Sequence, residues 1–299
     1  MDYAETRAAF FAPRPDAGPT TSWSSPARRL RDALEPLAAV SFWAEPVYDA
    51  YAALGLDFLT GYVWSRSSVL GQAEASVVAA TFGVFEPTAV AGLLGAAREA
   101  CSLEQVRVAR EQGSVAALTE VLPDGADLVA TTTLLQAAAA RADVVGRPLF
   151  AGALGQPVPT DPRGALWHIA TALRECRGDS HLAACVAAGL TGLEANLLTE
   201  LWVGFTPSAY AGTRAWSPEA MAAAQEGLRA RGLLDGEALS PAGRALRESI
   251  EAATDLAMQP VVAALGEDLD AVVAQCDAWG QAVIDRGWFP PDPYKRAAG

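Results

Sequence analysis

The chain has 299 residues, is 51% hydrophobic and carries a formal net charge of −13. That length supports a buried core in one large or two smaller domains, while the acidic balance argues against binding nucleic acid or an anionic membrane, which carry the same sign. Cys101, Cys176, Cys185 and Cys276 form no CxxC pair, so no metal site of the zinc-finger kind is expected.

The first 25 residues are rich in Pro, Ser, Thr and Gly and read as a flexible arm. They lack a positive start followed by an apolar run, so no signal peptide is expected and the thiols should stay reduced in the cytoplasm. Ser25-Pro26 then sets an N-cap and first helical position for a helix running to Trp43. The stretch 45–71 predicts two helices joined near Gly55. Ala73 to Phe82, Glu86 to Glu99, Leu103 to Gln112, Ser114 to Leu122 and Ala126 to Asp143 follow as helices, completing a domain over 26–150. Residues 151–163 hold three prolines and two glycines and read as a linker. A second domain over 164–289 and a tail over 290–299 follow.

Within 164–289, Gly164 to Cys176 predicts a helix, with Arg177-Gly178-Asp179-Ser180 breaking it and His181 to Ala188 forming the next. TGLEANLLTELWVG predicts one more helix, and Ser217-Pro218 caps another. Asp235-Gly236 is a tight-turn signal between short strands at Leu233-Leu234 and Ala238-Leu239. Ser240-Pro241 opens a long helix, and an amphipathic helix closes the domain. Helix, helix, hairpin, helix is the order of a winged helix-turn-helix. The fold class expected is therefore all-α with a small β-wing: an N-terminal helical domain plus a degenerate winged helix-turn-helix. No run approaches the ~18 apolar residues of a membrane span.

The phrase RGLLDGEALSPAGRALRESIE (231–251) resembles the wing and following helix of MarR-type regulators. More broadly, SFWAEP at 41–46, GYVWSRSSVLG at 61–71, ATFGVFEP at 80–87 and LWHIATALRECRGDSHLAA at 166–184 resemble the motifs of an actinobacterial family that joins an N-terminal helical domain to a MarR-like winged helix. Gly83 and Val84 stand where that family's pattern has Tyr and Asn, and Cys176 where it has His. The resemblance implies a fold and no particular activity. DNA reading is disfavoured by charge: residues 181–289 hold six basic and fourteen acidic side chains, a balance of −8. Neutralising phosphates needs the opposite sign. A patch of Arg229, Arg231 and Arg244 is the exception.

Chemistry concentrates in two places. Both histidines, His168 and His181, bracket Arg174, Glu175, Cys176, Arg177 and Asp179. His168 and Glu175, seven apart, share a helical face, and a carboxylate beside an imidazole suits general acid–base work. The competing reading of Arg174, Arg177 and Asp179 is an ion-paired structural corner. The second concentration is aromatic: Phe42, Trp43, Tyr62, Trp64, Phe82 and Phe85, with Arg66 among them, suit the lining of an organic-ligand pocket, against the plainer reading of core packing. The absence of HExxH, GxSxG, GxGxxG and P-loop patterns leaves no cofactor and no metal expected.

These residues lead to an inter-domain pocket for a hydrophobic or aromatic small molecule, a specialised metabolite. Cofactor-independent cyclisation or isomerisation would use His168 as proton carrier and Glu175 to orient it. Phe42, Trp43, Tyr62, Trp64, Arg66, Phe82, Phe85 and His181 would hold the ligand. The alternatives are a ligand-responsive MarR-like regulator, which would act as a homodimer, and a protein that sequesters a toxic metabolite.

Overall fold

A computed structural model describes residues 3–12, 24–123 and 127–293. In chain order the helices are α1 (Tyr3–Phe11), α2 (Pro26–Trp43), α3 (Glu45–Ala52), α4 (Phe58–Ser67), α5 (Ala75–Phe82), α6 (Pro87–Ala100), α7 (Leu103–Val121), α8 (Asp127–Ala139), α9 (Pro148–Leu154), α10 (Pro162–Ala187), α11 (Gly192–Trp202) and α12 (Pro218–Ala230). The strands β1 (Leu234–Asp235) and β2 (Ala238–Leu239) follow, then α13 (Pro241–Ala257), α14 (Gln259–Leu265) and α15 (Leu269–Asp285). The fold is all-α with a small β-wing. Among the described residues, no single helix is long and apolar enough to cross a membrane.

The organising element is α2, fifteen of whose eighteen residues are buried. A helix buried all round needs partners on every face. α15, α10 and α7 supply them. Gly280 of α15 has no Cβ where Pro36 of α2 approaches, and a Cβ there would lie 3.3 Å from the proline ring. One apolar core thus unites α2–α9, the first half of α10, and α14–α15, while a smaller core joins residues 185–250.

The two apolar cores meet inside α10, between Cys176 and Cys185, and α14 and α15 join the first core. Of the supposed linker, residues 151–154 complete helix α9, with Gly152 pressed against the backbone of Val69, and residues 162–163 open α10. Part of the supposed arm is α1, whose Phe10 stacks on Trp43 at 4.4 Å and whose Tyr3 hydroxyl donates to the Trp43 carbonyl. Residues 13–23 and the tail from 294 lie outside the described residues.

Two expected helix breaks are absent for the same physical reason: tertiary packing outweighs a glycine's cost of about 1 kcal/mol in a helix. α7 runs through Gly113, where a Cβ would sit 2.6 Å from the Cα of Val47. α10 runs unbroken through Arg177-Gly178-Asp179-Ser180. There Ser180 Oγ donates to the Cys176 carbonyl and accepts from Arg147 Nε, and Asp179 accepts from the Phe150 backbone N–H at 3.0 Å.

The wing forms as expected, its second strand at Ala238-Leu239 and its first strand and turn one residue later. Leu234 pairs with Leu239 and Asp235 with Ala238, so Gly236 and Glu237 make the turn, Gly236 with φ +61°. Ser217 and Ser240 cap α12 and α13 through the Ala220 and Gly243 N–H groups. Between α11 and α12 only a 3-10 turn at Ala211–Arg214 stands where a second helix of a tri-helical unit would lie.

Candidate functional site: an arginine-walled cavity with an aromatic annex

The small module docks on the turn between α5 and α6. Asn196 Nδ2 and Trp216 Nε1 both donate to the Val84 carbonyl, at 2.8 and 2.9 Å, and the Glu86 N–H donates to the Arg214 carbonyl. A Cβ on Gly192 would lie 1.8 Å from the Gly83 carbonyl oxygen, so α11 meets this turn backbone to backbone. Gly83 has φ +68° and would press a Cβ into Leu182, so a tyrosine there would clash. Val84 lines the cavity beneath.

That cavity, of about 140 Å³, lies where α2, α4, α10, α11 and α13 converge. Seven arginines line it: Arg28 and Arg31 from α2, Arg66 from α4, Arg174 and Arg177 from α10, Arg214 from the 3-10 turn and Arg247 from α13. Pairs three residues apart on α2 and α10 fall on one helical face, which aims four guanidiniums at one place.

Five carboxylates answer most of them. Glu251 receives Arg28 at 2.8 Å, Arg247 at 2.9 Å, and Arg177. Glu175 takes Arg66 in a two-pronged contact, Nε at 3.0 Å and Nη2 at 2.9 Å, with Arg174 at 3.1 Å. Glu35 takes Arg174 at 3.0 Å and Arg31 at 3.5 Å, Asp32 takes Arg28 and Arg31, and Asp255 takes Arg177. Burial pushes the Glu175 carboxyl up, but Arg66 and Arg174 outweigh it and hold it down at about 2. Burial opposed by Arg177, Arg247 and Arg28 leaves Glu251 further below the usual carboxylate range.

Arg214 differs from the other six: it forms no ion pair with a carboxylate among the described residues. Its Nη1 donates to Thr213 Oγ1, its Nη2 to the Tyr210 hydroxyl, and its guanidinium lies over the rings of Tyr210 (4.3 Å) and Phe85 (4.9 Å). Its Nε, and that of Arg177, are buried without a hydrogen-bond partner.

Beside this cavity lies an aromatic chamber of about 70 Å³, walled by Phe10, Phe42, Trp43, Phe58, Tyr62, Phe85 and Phe289. Glu35, Tyr62, Phe85, Arg174 and Arg214 line both spaces. One face of the junction is cationic and the other aromatic.

The structure brings Phe42, Trp43, Tyr62, Arg66, Phe82, Phe85 and His181 to these two chambers. Trp64 is elsewhere: it is fully buried in the core, its Nε1 donating to the Cys101 carbonyl, with Arg98 over its ring. The expected pair of His168 and Glu175 does not form. Seven residues along a helix is about 10 Å of rise, and Glu175 is already engaged by two arginines. His168 makes no hydrogen bond among the described residues and lines neither chamber; burial and the nearby Arg110 lower it to about 4. His181 binds Thr254 Oγ1 through Nδ1 at 3.2 Å, and burial first, then the cation of Arg247, drives it to about 3. Both imidazoles are neutral at neutral pH.

Arg28, Arg31, Arg214 and Arg247 were not among the site residues expected from the sequence. Arg28 and Arg31, three apart on α2, and Arg244 and Arg247, three apart on α13, were the available signal in a chain whose net charge is strongly negative; neither pair marked Arg214. Among the described residues, no group of three or more His, Cys, Asp or Glu side chains is placed to hold a metal ion.

The winged unit offers a contrasting surface. The exposed positions of α12 include Glu219, Ala222, Ala223, Glu226 and Ala230. Arg229 is bound to Glu226 and the Gly236 carbonyl, and Arg231 to Glu194 and the Gly189 carbonyl. The order α11, 3-10 turn, α12, hairpin, α13 fits one kind of protein, and the sequence model of the Helix-turn-helix family matches residues 27–290. The chain belongs to that family. No curated protein and no solved structure matches it.

Proposed function

We propose that this member of the Helix-turn-helix family binds a small organic molecule in the two-chambered cavity between its helical body and its winged module. The observation that carries this reading is the aromatic chamber opening beside the arginine-walled one, with Tyr62, Phe85 and Arg214 common to both. A cavity with apolar walls and a few convergent polar groups is the usual form of a ligand site. The winged unit serves here as a wall: Arg214 and Arg247 reach inward, and α12 turns acids and alanines outward, which disfavours phosphate contacts.

No acid–base step is assigned to His168 and Glu175, since each is held apart from the other. Binding without turnover, as in a protein that sequesters a metabolite, fits the cavity best. Titration with N-phenyl-1-naphthylamine, an uncharged fluorescent aromatic, tests the reading. Saturable binding is expected, and Leu59→Trp, which fills the aromatic chamber from its wall, should abolish it. Saturable binding of neither this probe nor its sulfonated counterpart 8-anilinonaphthalene-1-sulfonate by the unaltered protein overturns the proposal.

Family membership and the winged order support a second reading, a MarR-like regulator of actinobacterial type whose DNA affinity responds to the same ligand. A gel shift on its own promoter at low salt separates the two: a retarded band released by ligand favours the regulator, and no retardation favours the binding protein.

A further inference from the structure

Resting on that binding site, we propose that the ligand is an acid: an aromatic or apolar body bearing one anionic group, with the acid held at Arg214 and Arg177 and the body in the aromatic chamber.

Three observations converge. The cavity wall is cationic inside a chain of net charge −13. Such an interior attracts an anion that the outer surface repels, and charge interactions strengthen away from water. Six of the arginines are tied to carboxylates, which accounts for them as structure. Arg214, half-buried at the junction, is not: its guanidinium rests on the Tyr210 and Phe85 rings and on two neutral hydroxyls, so its charge has no carboxylate partner among the described residues. The Nε atoms of Arg214 and Arg177 are buried donors without an acceptor, and a buried unsatisfied donor marks a missing partner. A carboxylate, sulfonate or phosphate supplies acceptors and charge together.

Position then decides orientation. Arg214 borders both chambers, with its guanidinium against Phe85. An acid there projects its attached body among Phe42, Trp43 and Phe58. Tyr62 stands at the same junction, accepting from Arg66 Nη1 at 3.3 Å, so its own O–H remains to donate. Glu35 also faces the junction but is engaged by Arg174 and Arg31, so it offers a cationic ligand little.

The test compares two fluorescent probes on the full chain. 8-Anilinonaphthalene-1-sulfonate and N-phenyl-1-naphthylamine share an aromatic skeleton and differ in the sulfonate. The unaltered protein should bind the sulfonate at least tenfold more tightly, as loss of a charge-assisted contact implies. In Arg214→Gln, which orphans no carboxylate, the ratio of the two affinities should fall towards one, and Arg214→Lys should restore part of it. Melting curves check that each variant is folded. Equal affinities in the unaltered protein, or an unchanged ratio in Arg214→Gln, overturn the acid while leaving the cavity as a neutral-ligand site. Binding of neither probe overturns the cavity reading, and this inference with it.

Discussion

Replacing Glu175 by Gln removes one buried negative charge and almost no volume. The carboxylate is 2% exposed and accepts three guanidinium contacts, two from Arg66 and one from Arg174. Its folded pKa of about 2 lies below an unfolded value near 4.3. The unfolded state therefore binds the extra proton between those values, and the stabilisation is complete above the unfolded pKa and lost as pH falls through the folded one. The difference corresponds to about 3 kcal/mol at pH 7 and roughly half of that at pH 3. Breaking a buried ion pair from one side costs about 3–5 kcal/mol, a comparable loss. Urea unfolding of both proteins at pH 7 and pH 3, followed by tryptophan fluorescence, measures it. The variant should be less stable by about 3 kcal/mol at pH 7, with the gap shrinking in acid. A loss under about 1 kcal/mol at pH 7, or a gap unchanged by pH, would refute the assignment of Glu175 as counter-ion to Arg66 and Arg174.

Other consequences can be measured on the same footing. Asp179 is pushed up to about 7 by burial, so the folded state holds its proton where the unfolded state does not, and stability falls as pH rises from about 4 to 7. Asp179→Asn, which keeps an acceptor for the Phe150 N–H, should gain about 2 kcal/mol over the original chain on going from pH 5 to pH 8; parallel melting curves at both pH values would show no relative gain if the carboxyl is ordinary. His168, lowered to about 4, contributes stability that is lost as pH falls from about 6.5. His168→Gln should therefore be spared about 2 kcal/mol of the loss between pH 7 and pH 5, and identical acid profiles would contradict its burial as a neutral ring. Gly192→Ala drives a Cβ into the Gly83 carbonyl and should cost about 3 kcal/mol or more; a melting temperature within a degree or two of the original would contradict the close approach of α11 to the α5–α6 turn.

Local signals carried much of the secondary structure. Ser25-Pro26, Ser217-Pro218 and Ser240-Pro241 each start a helix as their chemistry dictates, because a side-chain cap and a fixed φ act within one turn. The hairpin was legible for a like reason, with Gly236 at positive φ. The concentration of aromatics at 42–85 foretold where apolar walls would gather, though composition could not separate Trp64, packed in the core, from Tyr62 at the cavity.

What only the tertiary structure decided is where long-range partners meet. Gly113 and Gly178 read as breaks in isolation, yet α7 and α10 pass through them, since neighbouring elements occupy the space a side chain would need or bind the flanking groups. Glu175 could be paired on paper with His168 along its own helix. Arg66, 109 residues away in sequence, reaches it instead. Sequence spacing reports neighbours within an element, whereas the arginine cavity is assembled from α2, α4, α10, α13 and a 3-10 turn. Charges so distant along the chain become one field only when helices that each bury an apolar face are packed together.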